Sequence, residues 1–189
     1  MRPIRHARTA NAVSPLRSYT LIELLVVVMV MGIAAAIVAP AIGGADPLRV
    51  QTSVRAIASD IMFAQSDAVA YQERRAVVFD LENNRYSVVE VLGNEIDPIA
   101  DAVFRVGAQD QRYVVELSDL SDDGARLLAV DFDESSVLIF DELGGPVLDA
   151  TSDEAGSGGF IDVGTEETRF RVSVEPYTGR VTVIRLTGE

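Results

Sequence analysis

The chain of 189 residues contains no cysteine, no lysine and no tryptophan, and its single histidine is His6. The absence of cysteine excludes a disulfide-bonded scaffold, a cysteine-ligated zinc site and a thiol nucleophile. The histidine lies in the N-terminal head, so histidine-based catalysis has almost no residues to use. No catalytic carboxylate pair, Ser/His/Asp set or glycine-rich phosphate loop stands out either. We therefore expect no enzyme, no cofactor and no bound metal ion.

The two signs of charge lie in different parts of the chain. Residues 1–18 hold four arginines and no acidic residue, whereas residues 43–189 hold 12 arginines against 28 acidic residues, a formal charge of −16. An acidic body repels the phosphate backbone, so nucleic acid is not expected as a partner. The chain therefore divides into a basic head, an apolar stretch and an acidic body.

The apolar stretch has no charged residue in the 19 positions from 24 to 42, and Glu23 stands just before it. A helix of this length spans about 28 Å, close to the bilayer core of roughly 30 Å. Because arginines precede it and acidic residues follow it, we expect a cytoplasmic N-terminus. A single-pass anchor, a signal peptide cut near Ala39-Pro40-Ala41 and a buried core helix are alternatives. Neither an anchor nor a signal peptide explains Glu23, because a carboxylate beside an apolar helix costs free energy.

The segment from Ser18 to Ile42, SYTLIELLVVVMVMGIAAAIVAPAI, resembles the N-terminus of type IV pilins and type II secretion pseudopilins. In that family a prepilin peptidase cuts off a basic leader before an aromatic residue and then methylates the new N-terminus. The resemblance implies cleavage between Ser18 and Tyr19, followed by N-methylation of Tyr19. Ser18 stands where the family usually has glycine, and Tyr19 stands where it usually has phenylalanine.

The resemblance also implies roles for Glu23 and Pro40, the fifth and twenty-second residues after the cut. In a filament, Glu23 would pair with the N-terminal amine of a neighbouring subunit, because burying both charges together costs less than burying either alone. The alternative is a Glu23 that snorkels to the membrane surface. Pro40 removes one helical hydrogen bond and predicts a kink in the helix.

The acidic body begins with an amphipathic pattern. Apolar residues recur at alternating spacings of 4 and 3, which predicts one face of a helix packed on a sheet: Val50, Val54, Ile57, Ile61, Ala64, Ala68 and Tyr71. Asp60 lies off this stripe. The run Gln72-Glu73-Arg74-Arg75 is expected to end the helix.

The rest of the body favours strands, so one long helix followed only by strands predicts an α+β fold of pilin type with antiparallel sheets. Strands are predicted at 76–81, 86–92, 127–132, 136–140, 160–163, 168–175 and 180–186. Residues 93–125 receive no assignment. The predicted organisation is a basic prepilin leader (1–18), a transmembrane or filament-core helix (19–42), an amphipathic helix (43–75) and a β-rich periplasmic domain (76–189).

The C-terminal part is similar to the H-type minor pseudopilins and related minor pilins. The matching stretches are VLIFDELGGP (137–146), residues 160–163, and RFRVSVEPYTGRVTV (169–183). The resemblance implies a structural and assembly subunit of a type II secretion pseudopilus that supports protein export. Its implied partners are the prepilin peptidase, other major and minor pseudopilins, and the inner membrane. It implies a single-pass inner-membrane protein that enters the pseudopilus, with its C-terminal domain in the periplasm.

Two other functions remain open. The first is a minor pilin of a type IV pilus, acting in assembly or DNA uptake, and the second is a Sec-exported or anchored β-rich binding module. The basic residues that DNA capture could use lie in the C-terminal hairpin: Arg169, Arg171, Arg180 and Arg185. The acidic body argues against that use.

Acidic clusters are the remaining candidate site. One of them is Asp131, Asp133 and Glu134, whose oxygen ligands would suit Ca²⁺. No run of acidic residues has the spacing of an EF-hand, and acidic loops are usually solvated. We therefore expect no metal site.

Overall fold

The computed structural model describes residues 19–42, 46–120 and 125–186, the side chains at 36–49 and 109 excepted. The chain forms two compact units, residues 1–43 and residues 44–189. Helix α1, Leu21–Ile42, belongs to the first unit. The predicted leader, 1–18, lies outside the described residues.

The second unit begins with helix α2, Asp46–Tyr71. The predicted apolar stripe is its buried face, because Val50, Ile57 and Ile61 are 0% exposed and Val54 is 2% exposed. The stripe ends earlier than predicted, since Tyr71 is 66% exposed and its ring contacts the guanidinium of Arg75 instead. The helix stops where the charged run begins, as predicted.

Nine strands follow α2 in the described residues. They are β1 Arg75–Asp80, β2 Arg85–Glu90, β3 Val114–Glu116, β4 Arg126–Phe132, β5 Val137–Phe140, β6 Pro146–Val147, β7 Gly159–Gly164, β8 Arg169–Val174 and β9 Val181–Leu186. A four-residue helix, α3 Leu117–Leu120, follows β3. The expectation that only strands follow the long helix was therefore wrong at this turn, where burial of Leu117 anchors a short helix. The predicted α+β class is confirmed.

The strands form two antiparallel sheets. The first has the order β3-β2-β1-β5-β6, and the second has the order β4-β7-β8-β9. Helix α2 contacts strands of both sheets. One core cluster joins the buried helix face to inward side chains of the two sheets, among them Phe79, Phe140, Ile161 and Val172.

The predicted turn between β8 and β9 packs directly against α2. The Gln65 side-chain amide donates hydrogen bonds to the carbonyls of Gly144 (2.7 Å) and Thr178 (2.9 Å). Gly179 has φ +62°, and a Cβ built there would lie 2.5 Å from Gln65 Nε2 and 2.9 Å from Phe140 Cε1. Glycine is therefore required by both backbone conformation and space.

Candidate functional site

The residues predicted to act in processing and assembly lie at the start of the first unit. Ser18 is outside the described residues. Tyr19 lies two residues before the first residue of α1 and is 70% exposed. Glu23 lies in the first turn of α1, and its side chain is exposed. Pro40 lies in the last turn of α1, and the kink predicted at this residue stays a prediction.

Thr20 and Glu23 together begin helix α1. The backbone N–H of Glu23 donates to the Thr20 side-chain oxygen at 3.3 Å and to the Thr20 carbonyl at 3.1 Å. Thr-x-x-Glu before an apolar run has the spacing of a capping box, in which the first side chain satisfies a free N–H group of the first turn. A carboxylate there also faces the positive end of the helix dipole. The Thr-x-x-Glu spacing in the sequence is the signal from which this cap could have been predicted.

Helix α1 presents an apolar surface. Every described side chain from Tyr19 to Ala35 is exposed, including Leu21 at 81%, Val28 at 69% and Met31 at 67%. In the part of the chain that the structure describes, no helix meets the length and hydropathy needed to cross a bilayer. The membrane crossing predicted for 19–42 stays a prediction. An apolar surface of this kind is typical of a segment that contacts lipid or other proteins.

A buried polar cluster lies in the second unit, between α2 and the first sheet. Asp60 is 9% exposed, and its two carboxylate oxygens accept hydrogen bonds from the hydroxyls of Tyr86 (2.7 Å) and Tyr113 (2.9 Å). The Tyr113 ring stacks on Phe63 at 5.1 Å between ring centroids, and the guanidinium of Arg105 lies 4.4 Å from its centroid. The cluster fixes the segment around Tyr113 to the helix.

The electrostatics of this cluster follow from burial. Desolvation raises the pKa of Tyr86 and raises that of Tyr113 to about 12, and the charge of Asp60 adds to both shifts. Both phenols therefore remain hydrogen-bond donors to Asp60 at neutral pH. Sequence reasoning placed Asp60 on the polar side of α2 and did not find this cluster, because its partners lie 26 and 53 residues away.

A groove of about 630 Å³ lies beside strand β3. Its lining contains the basic side chains of Arg85, Arg105 and Arg112, the acidic side chains of Asp110 and Glu116, and the apolar side chain of Val106. Within the described residues, no group of three histidine, cysteine or acidic side chains is arranged to hold a metal ion. The groove joins none of the residues predicted to act in processing or assembly.

Comparison with known proteins bears on the predicted family. No family model matches the chain. A curated relative, type II secretion system protein H of Xanthomonas campestris pv. campestris, is 25% identical over 182 residues, which cover 95% of this chain and 90% of that protein. This chain resembles an H-type pseudopilin. The resemblance stated from the sequence motifs is therefore confirmed.

A solved structure is also similar to this chain. The minor pseudopilin EpsH from the type 2 secretion system of Vibrio cholerae aligns with a TM-score of 0.48 and 10% identity. The alignment covers 72% of this chain and 97% of EpsH.

Proposed function

We propose that this chain is a minor pseudopilin, a structural subunit of a type II secretion pseudopilus that supports protein export. The observation that carries the proposal is the match to protein H, which extends over nearly the full length of both chains. The exposed apolar helix α1 supports it, because a filament-core or membrane helix needs an apolar surface. The acidic second unit, with its helix packed on two sheets, would be the part that meets other subunits outside the membrane.

The N-terminal chemistry belongs to the same proposal. The prepilin peptidase cuts between Ser18 and Tyr19 and methylates the amine of Tyr19. The Glu23 carboxylate, one helical turn after the cut, then forms an ion pair with the N-terminal amine of a neighbouring major or minor pseudopilin. Its position in the first turn of α1 supports this role, because the exposed carboxylate lies at the same end of the helix as the new N-terminus.

The proposed location is the inner membrane before assembly and the pseudopilus afterwards. The basic residues of the head keep the N-terminus in the cytoplasm, and the second unit lies in the periplasm. The proposed role is structural and not enzymatic, and the similarity to a component of a type II secretion system supports it.

The test is complementation of a deletion strain with the full chain, scoring protein export and co-purification with other pseudopilins. Mass spectrometry of the purified protein gives its N-terminus in the same strain. Restored export with a methylated Tyr19 supports the proposal. Restored pilus assembly without export would assign the chain to a type IV pilus, and an N-terminus near Ile42 would assign it to Sec export.

A further inference from the structure

The four edges of the two sheets differ in length and regularity. Strand β3 has three residues, β6 has two, and β4 carries a register shift between Leu127 and Ala129. Strand β9 has six residues and pairs with β8 without interruption from Leu186 to Val181. Short or bulged edges resist pairing with another chain, whereas a long regular edge offers a template for it. Among the described residues, β9 is the edge without such protection.

The register identifies the free backbone groups of β9. Glu175 N–H donates to the Arg180 carbonyl at 2.9 Å, so Glu175 and Arg180 form a hydrogen-bonded pair. Along an antiparallel hairpin, hydrogen-bonded and non-hydrogen-bonded pairs alternate, so the next pair, Val174 and Val181, is not hydrogen-bonded. The N–H and C=O groups of Val181, Val183 and Arg185 therefore point away from β8. No other strand in the described part of the chain pairs with β9. These three residues present six backbone groups to an incoming strand.

The side chains around this edge are basic and apolar. Residues 180–186 contain two arginines and no acidic residue, in a chain whose net charge is −13. Arg180 pairs with Glu175, but Arg185 makes no ion pair with any residue that the structure describes. Val183 and Ile184 are 45% and 54% exposed. Two copies of β9 would bring like charges together, whereas an acidic strand would neutralise them.

We propose that the free edge of β9 binds an extended acidic segment of a partner protein as an added β-strand. The backbone groups of Val181, Val183 and Arg185 supply the hydrogen bonds, which is the usual source of affinity in strand addition. Arg185 supplies the selectivity, because a guanidinium at the edge is satisfied by a carboxylate and left unpaired by an apolar or basic strand. The same guanidinium opposes pairing of two copies of this chain.

The experiment uses the full chain in detergent and two acetylated seven-residue peptides, one alternating valine with glutamate and its twin with lysine. Binding is measured by fluorescence anisotropy of labelled peptide and by hydrogen exchange of individual backbone amides. We expect the glutamate peptide to protect the amides of Val181, Val183 and Arg185, and the lysine peptide to leave them unprotected. Arg185→Glu should weaken binding of the glutamate peptide roughly fivefold or more and strengthen binding of its twin.

A proline variant separates edge binding from a general charge effect. Val183→Pro removes an N–H that points away from β8, so the hairpin should keep its pairing while peptide binding is lost. Val183→Ala is the matched control, since it shortens the same side chain and keeps the N–H. A melting curve checks that each variant is folded. If Val183→Pro is unfolded, peptide binding by Arg185→Glu alone decides whether the edge binds an acidic strand.

Three results would overturn the proposal. These are undiminished binding by folded Val183→Pro, equal binding of the two peptides, and a concentration-dependent dimer of the wild-type chain that Val183→Pro abolishes. The last result would assign the edge to a second copy. Because purified chain and peptides are used, the outcome is independent of whether the chain restores export in a deletion strain.

Discussion

At the scale of single residues, Asp60 determines how the segment after β2 meets helix α2. A carboxylate at 9% exposure is retained only where hydrogen bonds replace its hydration, and Tyr86 and Tyr113 supply them. The two hydroxyls are equally dependent on Asp60, since a buried donor without an acceptor also costs free energy.

Asp60→Ala should destabilise the second unit by roughly 2–4 kcal/mol, because it leaves two buried phenols without an acceptor. The free energy of unfolding in urea measures the loss. Asp119→Ala is the matched control, since Asp119 is an exposed acidic residue in α3 and its replacement should change stability by less than about 0.5 kcal/mol. Equal effects of the two substitutions would show that the hydrogen bonds to Asp60 contribute nothing net.

The raised pKa values of Tyr86 and Tyr113 predict a loss of stability at high pH. Between the ordinary tyrosine pKa of 10 and the folded-state pKa of Tyr113, about 12, the unfolded chain loses a proton that the folded chain keeps. Stability from this residue is therefore fully present below pH 10 and falls above it, by at most about 1.4 kcal/mol per pH unit. Urea unfolding from pH 8 to 11 measures the slope, which Tyr113→Phe should reduce. An unchanged slope in that variant would contradict the assignment.

Ser18 governs the proposed cleavage, because a small side chain before the bond allows the peptidase to approach it. We expect Ser18→Gly to be processed at least as well as the wild type and Ser18→Leu to remain uncut. Mass spectrometry of the N-terminus in the native host reads out both variants. A mature N-terminus at Tyr19 in Ser18→Leu would show that the cut site is wrong.

At the scale of elements, helix α2 was the most predictable part of the fold. Its apolar residues repeat over more than five turns, so local pattern and tertiary burial agree from Val50 to Ala68. A charge on this face would be buried without a partner, whereas a charge on the opposite face would be solvated.

Ile57→Asp should therefore unfold the second unit, because burying an unpaired carboxylate costs several kcal/mol. Ser59→Asp is the matched control, since it introduces the same side chain on the exposed face of the same helix. Circular dichroism melting of the two variants measures the difference. A cooperative melt at the wild-type temperature for Ile57→Asp would show that this face is not the core face.

The segment 93–125 could not be predicted because two short pieces of it share the place beside β2 that a single strand would normally take. Beside β2, Val103 N–H donates to the Val88 carbonyl at 2.9 Å, and Val88 N–H donates to the Tyr113 carbonyl at 3.0 Å. Strand β3 itself has three residues, too few for an alternating pattern to show. Each piece is placed by partners distant in sequence, as Asp60 is. Strands of six residues with their own turns, such as β8 and β9, were found because their pattern is local.

At the scale of the whole molecule, the two units treat their apolar side chains differently. The second unit buries its apolar side chains between α2 and two sheets, whereas α1 exposes its own. Folding of the second unit and the contacts of α1 are therefore separable, and a substitution at the start of α1 should change assembly without changing the fold.

Glu23→Ala should leave membrane insertion and cleavage intact, because it makes α1 more apolar and does not touch the bond after Ser18. Incorporation into the pseudopilus should fall, since the amine of the neighbouring subunit would lose its counter-charge. Glu23→Gln should be intermediate at best, because an amide hydrogen-bonds but does not neutralise an amine. Complementation of a deletion strain, with insertion, N-terminal processing, co-purification with partner pseudopilins and export scored separately, measures each step.

The hydrogen bond between Thr20 and Glu23 gives this experiment its control. Thr20→Val removes the side-chain acceptor of the Glu23 backbone N–H at 3.3 Å and keeps the Glu23 carboxylate, so equal effects of Thr20→Val and Glu23→Ala on assembly would point to the start of the helix and not to the carboxylate. Loss of a cap costs about 1 kcal/mol and leaves the carboxylate free to accept the amine. We therefore expect Thr20→Val to export nearly as well as the wild type. Wild-type export and co-purification by Glu23→Ala would leave Glu23 as a residue that snorkels to the membrane surface, without a role in assembly.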